Sequence, residues 1–300
     1  MKLLAPLVAV LLAALPAAAA GAVTVVASTN DLASIAASVG GERVEVAAIA
    51  RPSADVHRVE LLPSYMVRVS KAQLYLKIGL DLDRWADRVI DGSRNARLRV
   101  VDCSAGVRIL EKPTGRVDAS MGDVHPGGNP HYWLDPRNGA VVAGTVAEAL
   151  AELDPAHAEE YRARAQAFGR DAEAVRERGR QAAAALPAKT LLTYHRSWTY
   201  FGDAFGLEIA GTVEPVPGIP PTAKHLAGLV KLVRERRVPV LLQEPYFSAE
   251  AGKFLTRESG VRVLVRSASC ERPEAGSYLA HLEGVLRDLA AGTPGKEARP

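Results

Sequence analysis

The chain has 300 residues and a formal net charge of +3, because 37 Lys and Arg nearly balance 34 Asp and Glu. A balance this even gives no reason to expect nucleic acid or an acidic membrane surface as a partner. The length exceeds what one hydrophobic core usually organises, which favours two domains or one large α/β unit.

The first 22 residues have the pattern of a cleavable signal peptide. Lys2 provides a positive start, Leu3–Leu15 is almost wholly apolar, and small residues at cleavage spacing follow. The apolar run is too short to favour a retained transmembrane helix, and no cysteine stands directly after it to carry a lipid anchor. We therefore expect export to the periplasm, with a mature chain that begins near Ala22 or Val23.

Strand and helix patterns alternate through the first half of the chain. Asn30 or Asp31 is the expected cap of a first helix, which Gly40 and Gly41 would end. Pro63 suits the first turn of a later helix. Strands that alternate with helices predict a mainly parallel sheet covered on both faces. The predicted strands are Val23–Ser28, Val44–Ala50, Gln73–Gly79 and Arg97–Cys103.

One long helical pattern, Pro155–Leu186, separates this half from a second one. Asp154 is its expected N-cap, and Pro155 suits the first helical position. A continuous helix of this length would span about 48 Å, although Gly169 and Gly179 could bend it. Its apolar positions are mostly alanine without a leucine or isoleucine seam, which favours a monomer over a coiled-coil dimer.

The alternation resumes after residue 188 and ends with a helix over Ser277–Ala291. The chain is thus predicted to comprise a signal peptide (1–22), an α/β lobe (23–153), a connecting helix (154–187) and a second α/β lobe (188–300). The predicted strands of the second lobe are Lys189–His195, Leu207–Val213, Val238–Glu244 and Val261–Ser267.

Two cysteines, Cys103 and Cys270, are too few for a disulfide framework, and their spacing is not that of a zinc ribbon. In an exported protein they could form one disulfide, remain as buried thiols, or bind a metal. The sequence leaves these alternatives open, because pairing requires Cα atoms within about 7 Å of each other.

Three histidines stand at strand ends or in the loops that follow strands: His57, His131 and His195. They belong to no local motif, and the chain has no HExxH, GxSxG or phosphate-binding glycine loop. In an open α/β sheet, however, ligands bind outside the carboxyl ends of the strands, where residues distant in sequence converge. This shared position favours a binding role over three unrelated structural histidines.

The segments around these histidines resemble, in order and spacing, those of zinc- and manganese-binding solute receptors of ABC transporters, the cluster A-I class. The resemblance extends from about Val23 to Ala291 and includes the long helix. The segments are DVHRVE (Asp55–Glu60), NPHYWLDP (Asn129–Pro136) and YHRSWTYFGDAFGL (Tyr194–Leu207), with EPVPGIPPTAKHLAGL (Glu214–Leu229) and LLQEPYFS (Leu241–Ser248) as further matches.

The resemblance implies two α/β lobes with mainly parallel sheets, joined by one long rigid helix, with a metal in the cleft between them. His57 and His131 would be ligands from the first lobe and His195 from the second. Three neutral imidazoles suit Zn²⁺, whereas Mn²⁺ usually takes more oxygen ligands. We therefore expect zinc, with manganese as the alternative and iron or copper also open.

The fourth ligand is where the sequence departs from the family. Many members have an aspartate after the last strand of the second lobe, but here Arg266 and Ser267 stand at about that place. Glu244 is the first choice, because a buried strand would deliver it to the cleft. The other candidates are Glu214, Cys270, Glu60 and a water molecule.

An irregular stretch, Val107–Asn129, leads directly into His131. Stretches of this length without regular structure are usually functional or disordered. His125 lies within it and is a candidate accessory ligand that helps to capture the metal, with a solvated loop histidine as the alternative.

These features predict an exported zinc receptor that delivers the metal to a membrane ABC permease with its ATPase. Affinity should fall as unperturbed imidazoles protonate, through roughly pH 6 to 6.5. A manganese or iron receptor, an adhesin or a metallochaperone of the same fold are alternatives. A secreted zinc hydrolase is the alternative from another class, because three histidines and a water also describe a catalytic zinc, with Glu60 or Glu244 as base.

Overall fold

The computed structural model describes residues 21–115, 117–118 and 121–291. Residues 1–20 of the predicted signal peptide lie outside this part of the chain. Within the residues described, no helix has the length and apolar character needed to cross a membrane.

Two four-stranded parallel sheets form the frame of the molecule. The first has the order β2-β1-β3-β4 and the second the order β6-β5-β7-β8, so both halves repeat one topology. The strands are β1 (Val23–Ala27), β2 (Val44–Ala48), β3 (Leu74–Lys77), β4 (Arg99–Asp102), β5 (Thr190–Thr193), β6 (Glu208–Thr212), β7 (Val240–Gln243) and β8 (Arg262–Val265). All eight predicted strands are present, each shortened by one to three residues.

Helices cover the sheets and connect their strands. They are α1 (Asn30–Gly40), α2 (Pro63–Val69), α3 (Trp85–Ser93), α4 (Pro136–Leu153), α5 (Ala158–Ala184), α6 (Thr199–Phe205), α7 (Ala223–Arg236), α8 (Ala249–Ser259) and α9 (Ser277–Ala291). The two α/β lobes and the long helix between them agree with the predicted fold class.

The long helix α5 is shorter than the sequence pattern suggested. Pro155–His157 forms a separate 3₁₀ turn, because His157 has a non-helical backbone conformation, and the α-helix begins only at Ala158. Its 27 residues span about 40 Å at 1.5 Å per residue. The helix is continuous through Gly169 and Gly179, so neither glycine interrupts it.

One hydrophobic cluster extends through both lobes, and two further clusters each lie within one lobe. One hydrophobic cluster contains Val25 and Leu76 of the first sheet together with Leu191 and Leu242 of the second. Helix α9, although last in sequence, also reaches the first half, where the Tyr278 hydroxyl donates to the Trp133 carbonyl at 2.5 Å. The predicted boundaries at 153/154 and 187/188 stay a prediction.

The predicted capping of α1 is wrong, and the residues concerned have another role. Thr29 is the residue that precedes the helix, and Asn30 and Asp31 lie in its first turn. Both side chains contact the second lobe. The Asn30 amide donates to the carbonyls of Cys270 (3.1 Å) and Glu271 (2.9 Å). The Cys270 amide donates to Asp31 at 3.0 Å, and burial raises the pKa of Asp31 to about 6. These bonds join the two lobes directly.

The glycines of α5 provide a matched test of how tightly the helix packs. A Cβ at Gly179 would lie 2.3 Å from the Phe205 ring, whereas at Gly169 its nearest neighbour is 3.8 Å away. Gly179→Ala should lower the free energy of unfolding by about 1–3 kcal/mol through overpacking. Gly169→Ala should raise it by up to about 1 kcal/mol through helix propensity. Urea unfolding followed by circular dichroism measures both, and equal effects would contradict this packing.

Candidate metal centre

Three histidines that are far apart in sequence meet in the cleft between the lobes. One ring nitrogen each from His57, His131 and His195 lies within 4.8 Å of the other two. Their ring centroids are 5.2 to 5.3 Å apart. Among the residues that the structure describes, these three histidines form the group of potential ligand side chains whose spacing suits a metal ion. We call it the histidine trio.

Each member of the trio comes from a loop at the carboxyl edge of a sheet. His57 follows β2, and His131 precedes the 3₁₀ turn Tyr132–Leu134 that leads into α4. His195 follows β5 by two residues. In parallel sheets these edges collect the loops that bind ligands, so the repeated topology directs the three loops towards one cleft.

Every imidazole of the trio is held through its Nδ1 atom. The partners are Asp55 for His57 (2.8 Å), Asn129 for His131 (2.9 Å) and Glu214 for His195 (2.6 Å). An oxygen partner at Nδ1 fixes the tautomer with a proton on Nδ1, and the free lone pair is then on Nε2. The Nε2 atoms of His57 and His131 are buried without any hydrogen-bond partner.

Two of these partners repeat one local device that the sequence analysis missed. Asp55 and Asn129 each stand two residues before their histidine, and each also accepts a hydrogen bond from the backbone amide of that histidine. The shared spacing of an Asp or Asn at position −2 was the available signal. Glu214 has no such signal, because it lies 19 residues from His195.

Burial keeps His131 neutral. Its side chain is almost fully enclosed, and desolvation, followed by the neighbouring histidines, lowers its pKa well below the usual value. For this residue, proton competition begins at lower pH than the pH 6 to 6.5 expected from unperturbed histidines. A neutral imidazole with a free Nε2 lone pair is the form that binds metal.

His125 lies beside the trio rather than within it. Its ring stacks on His57 with centroids 5.5 Å apart, and its Nε2 is buried without a hydrogen-bond partner. Burial, followed by the charge of His57, lowers its pKa to about 4. His125 is therefore half-buried and adjacent to the trio, and its accessory role stays a prediction.

The other candidate ligands lie outside the trio. Glu214 uses its carboxylate to hold His195 and the Gly218 amide. Glu60 is exposed. Cys270 and Cys103 are both free and buried, so they do not form a disulfide. Burial raises the pKa of both thiols, and Cys270 contacts Asp31 and the Arg272 carbonyl rather than the trio.

Glu244, the first choice from sequence, is fully buried at the end of β7. Both of its carboxyl oxygens lack a hydrogen-bond partner. Desolvation raises its pKa to about 8, and Ser197 and Trp198 are near enough to oppose part of that rise. The carboxyl group is therefore protonated at neutral pH and would have to lose its proton to bind a metal. Its role as fourth ligand stays a prediction.

Acidic side chains line the approach to the trio. A cavity of about 140 Å³ reaches His57 and His195, and its wall contains three carboxylates. These are Asp55, Asp123 and Glu214, with Arg58 as the cation that partly offsets them. A cleft lined mainly by one sign of charge raises the local concentration of oppositely charged ions. The arrangement suits capture of a cation.

Comparisons with known proteins agree with this architecture. The family model described as ZnuA, zinc-uptake complex component A periplasmic, matches residues 25–292. The iron-binding protein YfeA of Yersinia pestis is 26% identical over 278 residues, which cover 89% of this chain and 85% of that protein. The manganese-binding lipoprotein MntA of Halalkalibacterium halodurans is 27% identical over 241 residues, 80% and 76% of the two chains.

A solved structure is similar throughout its length. The crystal structure of ZnuA superposes with a TM-score of 0.77 at 26% identity, and the match covers 90% of this chain and 98% of that chain. The long helix, the two parallel sheets and the cleft are therefore shared features of one fold.

The raised pKa of the buried Glu244 carboxyl predicts a pH dependence of stability. Between about pH 4.5 and 8, Glu244 carries a proton in the folded chain that it has lost in the unfolded chain, so stability falls as pH rises. We compare the free energy of unfolding of metal-free Glu244→Gln with that of metal-free wild type. The difference in favour of the variant should grow by roughly 3 to 5 kcal/mol as the pH rises through this interval. Urea unfolding at several pH values measures the difference.

The matched control is Glu208→Gln, because Glu208 is exposed and its carboxylate has Arg236 and the Thr190 hydroxyl as partners at the surface. Its stability relative to wild type should stay nearly constant over the same interval. A flat profile for Glu244→Gln as well would show that Glu244 is ionised in the folded chain.

Proposed function

Because this chain belongs to the zinc-uptake complex component A family of metal-binding receptors of ABC transporters, we propose that it captures Zn²⁺ outside the cytoplasm and delivers it to a membrane permease. Proteins of this family are substrate-binding components rather than enzymes, which sets aside a secreted hydrolase. The observation that carries the proposal is the convergence of His57, His131 and His195 in the cleft.

The ligand chemistry supports zinc over manganese. The histidine trio offers three neutral nitrogen ligands and contains no carboxylate. Nitrogen ligands in a tetrahedral set suit Zn²⁺, whereas Mn²⁺ favours oxygen. Relatives are named for iron and manganese, so the choice of metal rests on the residues of this chain. We propose a water molecule in the fourth position, with Glu244 as the alternative after loss of its proton.

The second layer of the site supports a divalent cation. Asp55 and Glu214 place two carboxylates directly behind His57 and His195. Such carboxylate–histidine–metal arrangements orient the imidazole and make it a stronger ligand. With both carboxylates ionised, their two negative charges would balance the charge of one Zn²⁺.

Transfer of the metal requires that the ligand set be disturbed. His57 and His131 belong to the first lobe and His195 to the second, so a small relative movement of the lobes separates them. The shared core and the hydrogen bonds at Asn30 and Asp31 oppose a wide opening. We therefore propose small rotations triggered by the permease and its ATPase, acting on a monomeric receptor in the periplasm.

Calorimetric zinc titration of the metal-stripped protein tests the ligand assignment. Zinc affinity should fall by at least about 100-fold in each of the variants His57→Ala, His131→Ala and His195→Ala. Loss of a metal ligand costs more affinity than loss of a residue that only orients the ligand. His225→Ala is the matched control, because that ring bonds to the Thr212 carbonyl at 2.9 Å and stands outside the trio. Unchanged affinity in all three variants would refute the site.

Competition between metals tests the cargo separately. Zn²⁺ should displace Mn²⁺ from the wild-type protein at equal concentrations, because the ligands are nitrogen atoms. Mass spectrometry of the native protein after mixed-metal dialysis measures the bound fraction of each. Preferential retention of Mn²⁺ would reject zinc as the cargo while leaving the receptor function intact.

A further inference from the structure

One carboxylate oxygen joins the histidine trio to a turn of the second lobe. The Oε2 atom of Glu214 accepts from His195 Nδ1 at 2.6 Å and from the Gly218 amide at 3.1 Å. Glu214 is only 6% exposed, so neither bond is replaced easily by water. Any displacement of the carboxylate therefore affects both the imidazole and the turn.

The turn, Val216–Ile219, contacts a loop segment of the first lobe. We name this segment, Met121–His125, the strap. The Asp123 amide donates to the Pro217 carbonyl at 2.8 Å, which places strap and turn in direct contact. An antiparallel bridge between Val216 and Ile219 keeps the turn compact.

The contact between strap and turn leaves no room for additional atoms. Gly122 has φ +62°, and a Cβ there would lie 2.2 Å from the Pro217 carbonyl oxygen. Gly218 has φ +76°, and a Cβ there would lie 2.3 Å from the Asp123 carboxylate. Both glycines therefore have a backbone conformation and a close approach that other residues would disturb.

The strap also reaches the metal centre from its other end. His125 stacks on His57, and it lines a small cavity together with His131 and His195. Asp123 lines this cavity as well as the acidic one. The docked strap thus borders both of these cavities beside the histidine trio.

We propose that Glu214 is a positioning residue that couples metal occupancy at His195 to docking of the strap. This inference rests on the proposed function. A cation on Nε2 polarises the imidazole, so its Nδ1–H becomes a stronger donor to the carboxylate. The carboxylate is then held in place, and with it the Gly218 amide, the turn and the Asp123 amide. The mouth of the cleft is therefore more ordered when metal is bound.

Asp55 and Glu214 both accept a hydrogen bond from a histidine of the trio, but only Glu214 connects that histidine to the turn. Asp55 also accepts from a trio histidine, but its other hydrogen bond comes from the His57 backbone amide. It has no bond to the turn or to the strap amide. Removing Asp55 should weaken metal binding without uncoupling the strap, which makes it the matched control.

Hydrogen exchange measured by NMR on the full-length mature protein tests the coupling, with saturating Zn²⁺ as the probe and metal-free protein as reference. In wild type, zinc should slow exchange of the Gly218 and Asp123 amides at least tenfold. In Glu214→Leu, which lacks an acceptor, zinc binding confirmed by calorimetry should leave both rates unchanged. Glu214→Gln should restore part of the effect through its amide oxygen, and Asp55→Ala should retain it at saturating zinc.

A variant of the strap tests whether the effect of zinc passes from Glu214 to the turn and only then to the strap. Gly122→Ala should abolish the zinc effect at Asp123 but preserve it at Gly218, because the added Cβ would push the strap away from the Pro217 carbonyl while the Glu214–Gly218 hydrogen bond involves neither atom. This variant also carries the test if Glu214→Leu does not fold.

The outcomes separate the two proposals. Zinc binding without slower exchange in wild type, or slower exchange that persists in Glu214→Leu, would overturn the coupling and leave the receptor function standing. Loss of the zinc effect at both amides in Gly122→Ala would contradict the proposed order. Absence of zinc binding in wild type would overturn both proposals.

Discussion

The burial of three imidazoles against one another is the constraint on which the site depends. Enclosed polar rings cost free energy unless their hydrogen-bonding atoms are satisfied. Here one oxygen partner satisfies each Nδ1, and the Nε2 atoms of His57 and His131 stay without a partner. Such unsatisfied, buried lone pairs cost free energy, and a bound cation would satisfy them. For His131, burial lowers the pKa and favours the neutral ring.

Around that centre, contacts between the two lobes make the molecule rigid. The hydrophobic core passes from one sheet to the other, and the first turn of α1 bonds to the segment after β8. Helix α5 packs with glycine at its closest approach to α6. These contacts oppose a wide opening of the cleft.

Glu244 and Glu214 illustrate how similar carboxylates acquire different roles. Both follow strands of the second sheet, and both are buried. Glu214 has two donors, so its charge is compensated and it can orient His195. Glu244 has no hydrogen-bond partner, and burial raises its pKa to about 8. Strand position alone does not distinguish a positioning carboxylate from one that stays protonated.

Much of the fold was accessible from the sequence, because strand and helix periodicity, proline at helix starts and glycine at helix ends are local properties. All eight strands, and the placement of three histidines at strand ends or in the loops that follow them, could be predicted on that basis. The start of α5 and the role of Asp31 could not, because they depend on the backbone at His157 and on contacts across the lobes. The partners of the imidazoles show the same division. Asp55 and Asn129 sit at a fixed short spacing, whereas Glu214 reaches His195 only because neighbouring parallel strands bring their ends together. The sequence by itself determined which side chains could bind a metal, since residue type decides ligand chemistry. Only the tertiary structure decided which of them converge, because distances between loops and the desolvation of each group arise from packing.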